Sequence, residues 1–216
     1  MKNIVCLISG RGSNLEALLR CAREQQWQGK LDAQISAVIS NRADARGLEI
    51  AAAHGVETHV LSHAAFADRD GFDAALRERI ERHHPALVVL AGFLRVLTPA
   101  FTAHFHGRLI NIHPSLLPAF TGLHTHARAL QMGVRIHGTT VHFVSGELDA
   151  GPIIAQSALA VLPGEEEEAL AARVLALEHE LLPRCVRWIL EGRVRLEGGR
   201  VATPGVDAGQ LLRMAA

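Results

Sequence analysis

The chain has 216 residues, 49% hydrophobic and 20% charged, with 22 basic residues against 22 acidic ones and 13 histidines. This length and apolar share fit one globular α/β domain over residues 1–216, able to bury roughly 70% of its unfolded surface, and they exclude disordered and fibrous classes. A formal net charge of zero argues against a broad nucleic-acid surface, which needs clustered positive charge to displace counterions, but leaves room for a single phosphate contact.

In chain order, short apolar runs alternate with helical patterns. Residues 4–8 read as a buried strand, and 15–23, rich in Leu, Ala and Glu, as a helix. A second strand is expected over 34–40 and a second helix over 43–53, stopped at Gly55. Residues 57–61 suggest a short strand. Helix 66–83 follows, with Phe72, Leu76 and Ile80 recurring every four residues. After Pro85, the unbroken apolar run 86–91 suits a strand covered on both faces, and 108–112 is a further strand. This alternation implies βαβ units and a mostly parallel, doubly wound sheet. Beyond residue 113 the pattern changes. A loop rich in Pro and Gly runs to Gly122, a short helix covers 124–132, and two strands, 139–144 and 152–160, are joined by a polar turn that suggests an antiparallel extension. A long helix over 165–191 places Leu170, Val174, Leu177, Leu181, Cys185 and Trp188 on one face, with glutamates 165–168 in its first turn, where the helix dipole favours negative charge.

Cys6, Cys21 and Cys185 are an odd number, widely spaced, and match no disulfide framework or CxxC motif. The N-terminal apolar run is too short for a signal-peptide core, and no stretch approaches the ~20 residues that span a bilayer. A reducing, cytoplasmic location with no membrane partner is expected.

Three places carry candidate chemistry. Gly10-Arg11-Gly12-Ser13-Asn14 sits where the first strand hands over to a helix, and exposed amides at a helix start make an anion site. Leu15 stands where a dinucleotide fingerprint wants a third glycine, and Ser40-Asn41-Arg42 lacks the acidic residue that holds a ribose. The loop therefore reads as a single-phosphate cradle or as a tight turn capped by Ser13 or Asn14. In Asn111-Ile112-His113-Pro114, residues i and i+2 of a strand face one side, so Asn111 and His113 point together at the carboxyl edge of the sheet. His113 is either a structural histidine or a functional one. Asp149, in Leu148-Asp149-Ala150-Gly151-Pro152, serves local turn chemistry or, beside an imidazole, proton relay.

The glycine loop, Asn111-x-His113-Pro114-Ser115-Leu116-Leu117-Pro118, Gly122-Leu123-His124-Thr125-His126, His137-Gly138-Thr139-Thr140-Val141-His142 and the Asp149 turn stand in one order. This ensemble resembles the folate-dependent formyltransferases over residues 2–190, and within them the enzymes that formylate phosphoribosylglycinamide. The resemblance implies a Rossmann-like formyltransferase fold. It also implies direct attack of the substrate amine on the formyl group of 10-formyltetrahydrofolate, a cosubstrate, in purine biosynthesis, with no metal. By the same resemblance Asn111 and His113 bind the oxygen of the tetrahedral intermediate, and Asp149 supports His113 and the proton transfer. Such preorganised donors typically contribute ~3 kcal/mol each. Gly12, Ser13 and Asn14 match the segment holding the ribonucleotide phosphate, and Glu178 matches the glutamate on its ribose side. Arg69, Leu94, Arg95, Val96 and Leu97, with Asn111, match folate-binding segments. Read without the family, Glu178 is an ordinary surface glutamate and Leu94, Val96 and Leu97 ordinary core. The segment Pro118-Ala119-Phe120-Thr121-Gly122 departs from the basic-aromatic-proline stretch common in relatives, which weakens an expectation of loop rigidity. The implied partners are small molecules, with no nucleic acid, and the assembly a monomer or homodimer.

Two relatives on the same fold are alternatives. The methionyl-tRNA formyltransferases carry an added C-terminal domain and a basic surface, against a chain of zero net charge ending at 216; formyltetrahydrofolate hydrolases carry a preceding regulatory domain, against a chain starting at its first strand. From another class, a metal hydrolase would draw ligands from His113, His124, His126, His142 and Asp149, although His124-x-His126 is not the i, i+4 spacing that puts two ligands on one helical face. A non-catalytic nucleotide-binding module would use the glycine loop and leave Asn111, His113 and Asp149 unexplained.

Overall fold

The apolar run that opens the chain forms strand β1 (Lys2–Ile8), in which Ile4 to Ile8 are fully buried. In the computed structural model, which describes residues 1–215, the chain divides into two compact units, Met1–Asn111 and Ile112–Ala216.

The first unit is built from βαβ steps. Helix α1 (Ser13–Glu24) buries Leu15, Ala17, Leu18 and Leu19. A five-residue helix α2 (Trp27–Leu31) follows, anchored by the buried Trp27. Strand β2 (Ala33–Ser40), helix α3 (Arg46–Ala53) and strand β3 (Glu57–Val60) come next. Helix α1 packs on α3, and both contact β2. Helix α4 (Arg69–Glu81) starts three residues later than its apolar pattern suggests, because the Asp68 carboxylate accepts from Gly71 N at 2.8 Å and so caps the helix. Strand β4 (Pro85–Leu90), the short helix α5 (Pro99–His104) and strand β5 (Leu109–His113) complete the series. The pairings β3–β2, β2–β1, β1–β4 and β4–β5 are all parallel. The registers Leu7↔Leu90, Ile8↔Ser40 and Leu90↔Asn111 bring the carboxyl ends of β1, β2, β4 and β5 to one edge.

Strand β5 carries the chain into the second unit at Ile112. Helix α6 (Thr125–Gln131) precedes β6 (Ile136–Phe143), which pairs antiparallel with β7 (Ile153–Ala160), as the sequence suggests. Gly138 is obligatory in that ribbon, since a Cβ there would lie 2.0 Å from the Ser157 carbonyl oxygen. Helix α7 (Glu167–Leu190) packs its apolar stripe on β6 and β7, with Leu170, Val174 and Leu177 against Leu159. It begins after Glu165, whose carboxylate folds back to accept from Leu162 N and Arg173 Nη1, so only two of the four glutamates lie in the first turn. The tail forms the hairpin β8 (Arg195–Glu197) and β9 (Arg200–Ala202), the one-turn helix α8 (Ala208–Leu211) and β10 (Leu212–Ala215), which pairs parallel with β7. The fold is thus a mostly parallel, doubly wound α/β sheet with an antiparallel extension and a long C-terminal helix. Among the described residues no helix is long and apolar enough to cross a membrane.

Candidate active site

In the first unit the candidate residues lie on connections leaving the carboxyl ends of strands, where open α/β sheets bind ligands. Gly12 ends the β1–α1 loop at φ 78°, a left-handed conformation. A side chain is excluded there, because a Cβ would stand 2.5 Å from Gly47 Cα; the loop is pinned by Gly47 N donating to Gly10 O at 3.1 Å. Gly10 has nothing within 4 Å of a notional Cβ, so one side of the loop is open. The N-cap of α1 is Gly12, which has no side chain to cap the helix, so the loop meets the first turn through backbone, an arrangement that suits an anion. Ser13 and Asn14, offered as caps by one reading of the sequence, are the first two residues of the helix.

The β4–α5 connection, residues 91–98, has no regular structure and is held at both ends by side chains. Leu94 N donates to Ser9 Oγ at 2.8 Å, and Ser9 Oγ donates to Asn41 Oδ1 at 2.6 Å. Thr98 N donates to Asp73 Oδ2 at 2.6 Å. Between these staples Leu94 is 69% exposed and Val96 49%, whereas Leu97 is buried. The core reading of Leu94 and Val96 is thus wrong. Two large apolar side chains are thus presented to solvent on a stapled loop. Arg69 stands exposed at the first position of α4, on the connection that follows β3. Sequence reasoning missed Asp73 and the bracing role of Ser9; a buried acid inside the Phe72–Leu76 stripe of α4 was the available signal.

The second unit joins His113 and Asp149, 36 residues apart. His113 is 5% exposed, its Nδ1 lies 3.4 Å from Asp149 Oδ2, and its Nε2 lies 2.9 Å from the Phe120 carbonyl oxygen. Carbonyl and carboxylate oxygens only accept, so both contacts are hydrogen bonds only when both ring nitrogens carry hydrogen. The His113 carbonyl is fixed in turn by Thr139 Oγ1 at 2.9 Å. Asp149 adopts φ 53°, and its Oδ2 accepts from Gly122 N at 2.8 Å. Gly151 lets this turn lie against β6, since a Cβ there would sit 1.8 Å from Phe143 O. His142 faces Asp149 Oδ1 from 3.9 Å, too far for a hydrogen bond, and gives its Nδ1 hydrogen to Phe143 O at 2.9 Å. Burial pulls the His142 imidazole below its usual range, with the Phe143 carbonyl and Asp149 acting the other way.

The loop between His113 and α6 is braced by hydroxyls despite its unusual composition. Ser115 Oγ donates to Ala119 O at 2.6 Å, Thr140 Oγ1 donates to Ser115 O at 2.7 Å, and Leu117 N donates to Thr140 Oγ1 at 3.1 Å. The Leu117–Pro118 peptide bond is cis. Phe120 meets the His137 ring edge-on at 5.8 Å, and His137 Nε2 lies 3.2 Å from His126 Nδ1. Burial, aided by His126 and His113 nearby, pushes the His137 imidazole down to about 4.

Asn111 lies two residues before His113 on β5, so the two side chains leave the strand on one side. Glu178 is 6% exposed on α7, which removes its reading as a solvated surface residue; a buried carboxylate needs partners. Burial pushes the thiols of Cys6 and Cys185 up to about 12, so neither offers a thiolate. Among the described residues, His113, His124, His126, His142 and Asp149 do not bring three ligand atoms together, which leaves the metal-hydrolase set without a shared point.

Comparison with known proteins fits this geometry. The Formyl transferase family matches residues 2–186. The phosphoribosylglycinamide formyltransferase of Escherichia coli (strain K12) is 46% identical over 213 residues, spanning 95% of this chain and 99% of that one. The solved phosphoribosylglycinamide formyltransferase of Coxiella burnetii, in complex with CHES, is 43% identical, covers 100% of this chain and 99% of its own, and superposes with a TM-score of 0.88. Glycinamide ribonucleotide transformylase 1 from Symbiobacterium toebii gives 46% identity and a TM-score of 0.88 over 94% of each chain. A match over this much of the sequence, at this identity, makes the chain an enzyme of the formyl transferase family.

Proposed function

We propose that the enzyme transfers a formyl group from 10-formyltetrahydrofolate to the amine of 5'-phosphoribosylglycinamide, a step of purine biosynthesis. The observation that carries the chemistry is the buried His113–Asp149 pair at the end of the strand that also bears Asn111. The amine nitrogen attacks the formyl carbon, forming a C–N bond and a tetrahedral oxyanion. The Asn111 amide and His113 Nε2–H donate to that oxygen, each typically contributing ~3 kcal/mol. Collapse breaks the bond to the folate nitrogen, and the proton lost by the amine is delivered to that nitrogen with Asp149 and His113 assisting. The mechanism needs no covalent enzyme intermediate, in keeping with the two buried, protonated thiols. The Phe120 carbonyl, which holds His113 Nε2 in the free chain, must give way to the substrate oxygen.

Substrate contacts follow from the same reading. The glycine loop and helix start at Gly12, Ser13 and Asn14 take the phosphate, and the buried Glu178 takes the ribose side. Arg69, Arg95 and the exposed Leu94 and Val96, with Leu97 beneath and Asn111 shared, take the folate. The substrates are small molecules, and the three free cysteines suit a reducing, cytoplasmic setting. A spectrophotometric assay with 10-formyltetrahydrofolate, run against phosphoribosylglycinamide, formylatable methionyl-tRNA and water alone, tests the proposal. Turnover restricted to the ribonucleotide supports it; turnover with water alone or with the tRNA replaces it by the hydrolase or the tRNA reading.

A further inference from the structure

Away from the residues assigned to formyl transfer, three metal-ligating side chains meet where β3 approaches the α4–β4 turn. Glu57 and His59 are i and i+2 on β3 and so share one side of the strand, which lies at the edge of its sheet. His83 stands just beyond α4. His59 Nε2 lies 3.0 Å from Glu57 Oε1 and 3.2 Å from His83 Nε2, and the three ligand atoms all fall within 4.8 Å of one another. Ligands about 2.1 Å from a tetrahedral zinc ion stand about 3.4 Å apart, so the two distances from His59 Nε2 are close to those of a filled site. We propose that Glu57, His59 and His83 form a binding site for a divalent transition-metal ion of the zinc class, tying the edge strand to the end of α4.

Hydrogen bonding accounts for this cluster only in part. Arg79 Nη1 lies 3.3 Å from His59 Nδ1, and a guanidinium only donates, so that nitrogen accepts and the ring hydrogen sits on Nε2. One hydrogen then faces both Glu57 and His83. A cation in its place engages all three groups at once. The backbone is already fixed for this. Ala37↔Glu57 and Ile39↔His59 are paired in the sheet, and the His83 carbonyl accepts from Asn3 Nδ2 at 2.6 Å. Two imidazoles and one carboxylate are the donor set of many zinc sites with an open fourth position, here facing solvent beside a Glu57 side chain that is 60% exposed. Metal on His59 Nε2 moves the ring hydrogen to Nδ1, where it opposes the Arg79 guanidinium, so Arg79 is the group that restrains binding.

The test uses untagged, chelator-treated full-length protein titrated with zinc chloride in a calorimeter, with cobalt(II) absorption reporting the geometry. One equivalent is expected to bind, with Glu57→Gln and His83→Ala each weakening the affinity at least ~10-fold, and Arg79→Ala strengthening it several-fold. Circular dichroism checks that the variants are folded, and Glu57→Gln, at an exposed side chain, preserves the test if His83→Ala does not fold. Absence of stoichiometric uptake by the parent protein overturns the proposal, as does uptake unchanged in folded Glu57→Gln and His83→Ala proteins.

Discussion

The loop at the start of α1 and the His113–Asp149 pair represent two ways of building a polar site. The first offers backbone: left-handed Gly12, the N-cap of α1, backs directly onto Gly47 and carries no side chain. The second offers side chains, buried to 7% exposure each and held by Gly122 N, the Phe120 carbonyl and Thr139. A backbone cradle tolerates changes of side chain but not of backbone conformation. A side-chain pair fails when one functional group is altered, even if the backbone is untouched. The first arrangement suits holding an anion, and the second suits moving a proton while charge develops.

The strongest way to break this contrast is at the pair. His113→Ala should lower kcat by ~10³-fold or more, and Asp149→Asn by ~10²-fold or more, with affinity for the ribonucleotide largely kept, since donor and proton-transfer roles are realised in the transition state. Equilibrium binding beside steady-state kinetics checks this. A loss confined to binding would move both residues from chemistry to recognition.

At the loop the order of effects should reverse. Gly12→Ala places a methyl group 2.5 Å from Gly47 Cα at φ 78°, so stability should fall by about 1–3 kcal/mol in urea unfolding and the ribonucleotide KM should rise. Ser13→Ala leaves the amides in place. It should raise that KM only severalfold at nearly constant kcat, and a kcat loss matching that of His113→Ala would erase the distinction between the two regions.

The two regions also differed in how far they could be read from sequence. Parallel strands covered on both faces appear as continuous apolar runs, so Ile4–Ile8 and Leu87–Leu90 were legible, as was the stripe of α7. The glycine loop was legible as a location because its groups are contiguous. That the N-cap falls on Gly12 was not, since Ser13 and Asn14 both suit a cap in one dimension. Asn111 and His113 share a strand and could be paired by period alone, but the meeting of His113 with Asp149 depends on the β6–β7 ribbon and on Gly151 fitting under Phe143 O. Short elements escaped. Helix α2 is entered through Gln26 at φ 55° with no capping signal, and β10 is specified by pairing with a strand more than fifty residues earlier. Helix α5 did carry a signal, the Thr98 cap followed by Pro99, but only six residues to support it. For Leu94 and Val96 the residues alone suggested core, because an apolar side chain looks the same in sequence whether it is buried or exposed.

The smallest effect expected is a response to acid that separates the regions without a mutation in either site. The loop from Ser9 to Asn14 contains no histidine, whereas His113 sits near His126, His137 and His142. His137 is held down at about 4 in the folded chain, against 6.5 for an ordinary imidazole, first by burial and then by His126 and His113. A histidine lowered in this way binds its proton more readily when the chain unfolds. Its contribution to stability is therefore intact above pH 6.5 and is lost as pH falls from 6.5 toward 4, and burial lowers His126 and His142 in the same direction. Urea midpoints taken between pH 7 and 4.5 should fall with acid, and His137→Gln should make the fall shallower. Because Phe120 packs edge-on against His137 and holds His113 Nε2 through its carbonyl, charging His137 should loosen the group that positions the His113 imidazole. A stability that stays flat to pH 4.5 would mean that His137 takes up its proton as easily in the folded chain as outside it, and the region around His113 would then be no more sensitive to acid than the glycine loop.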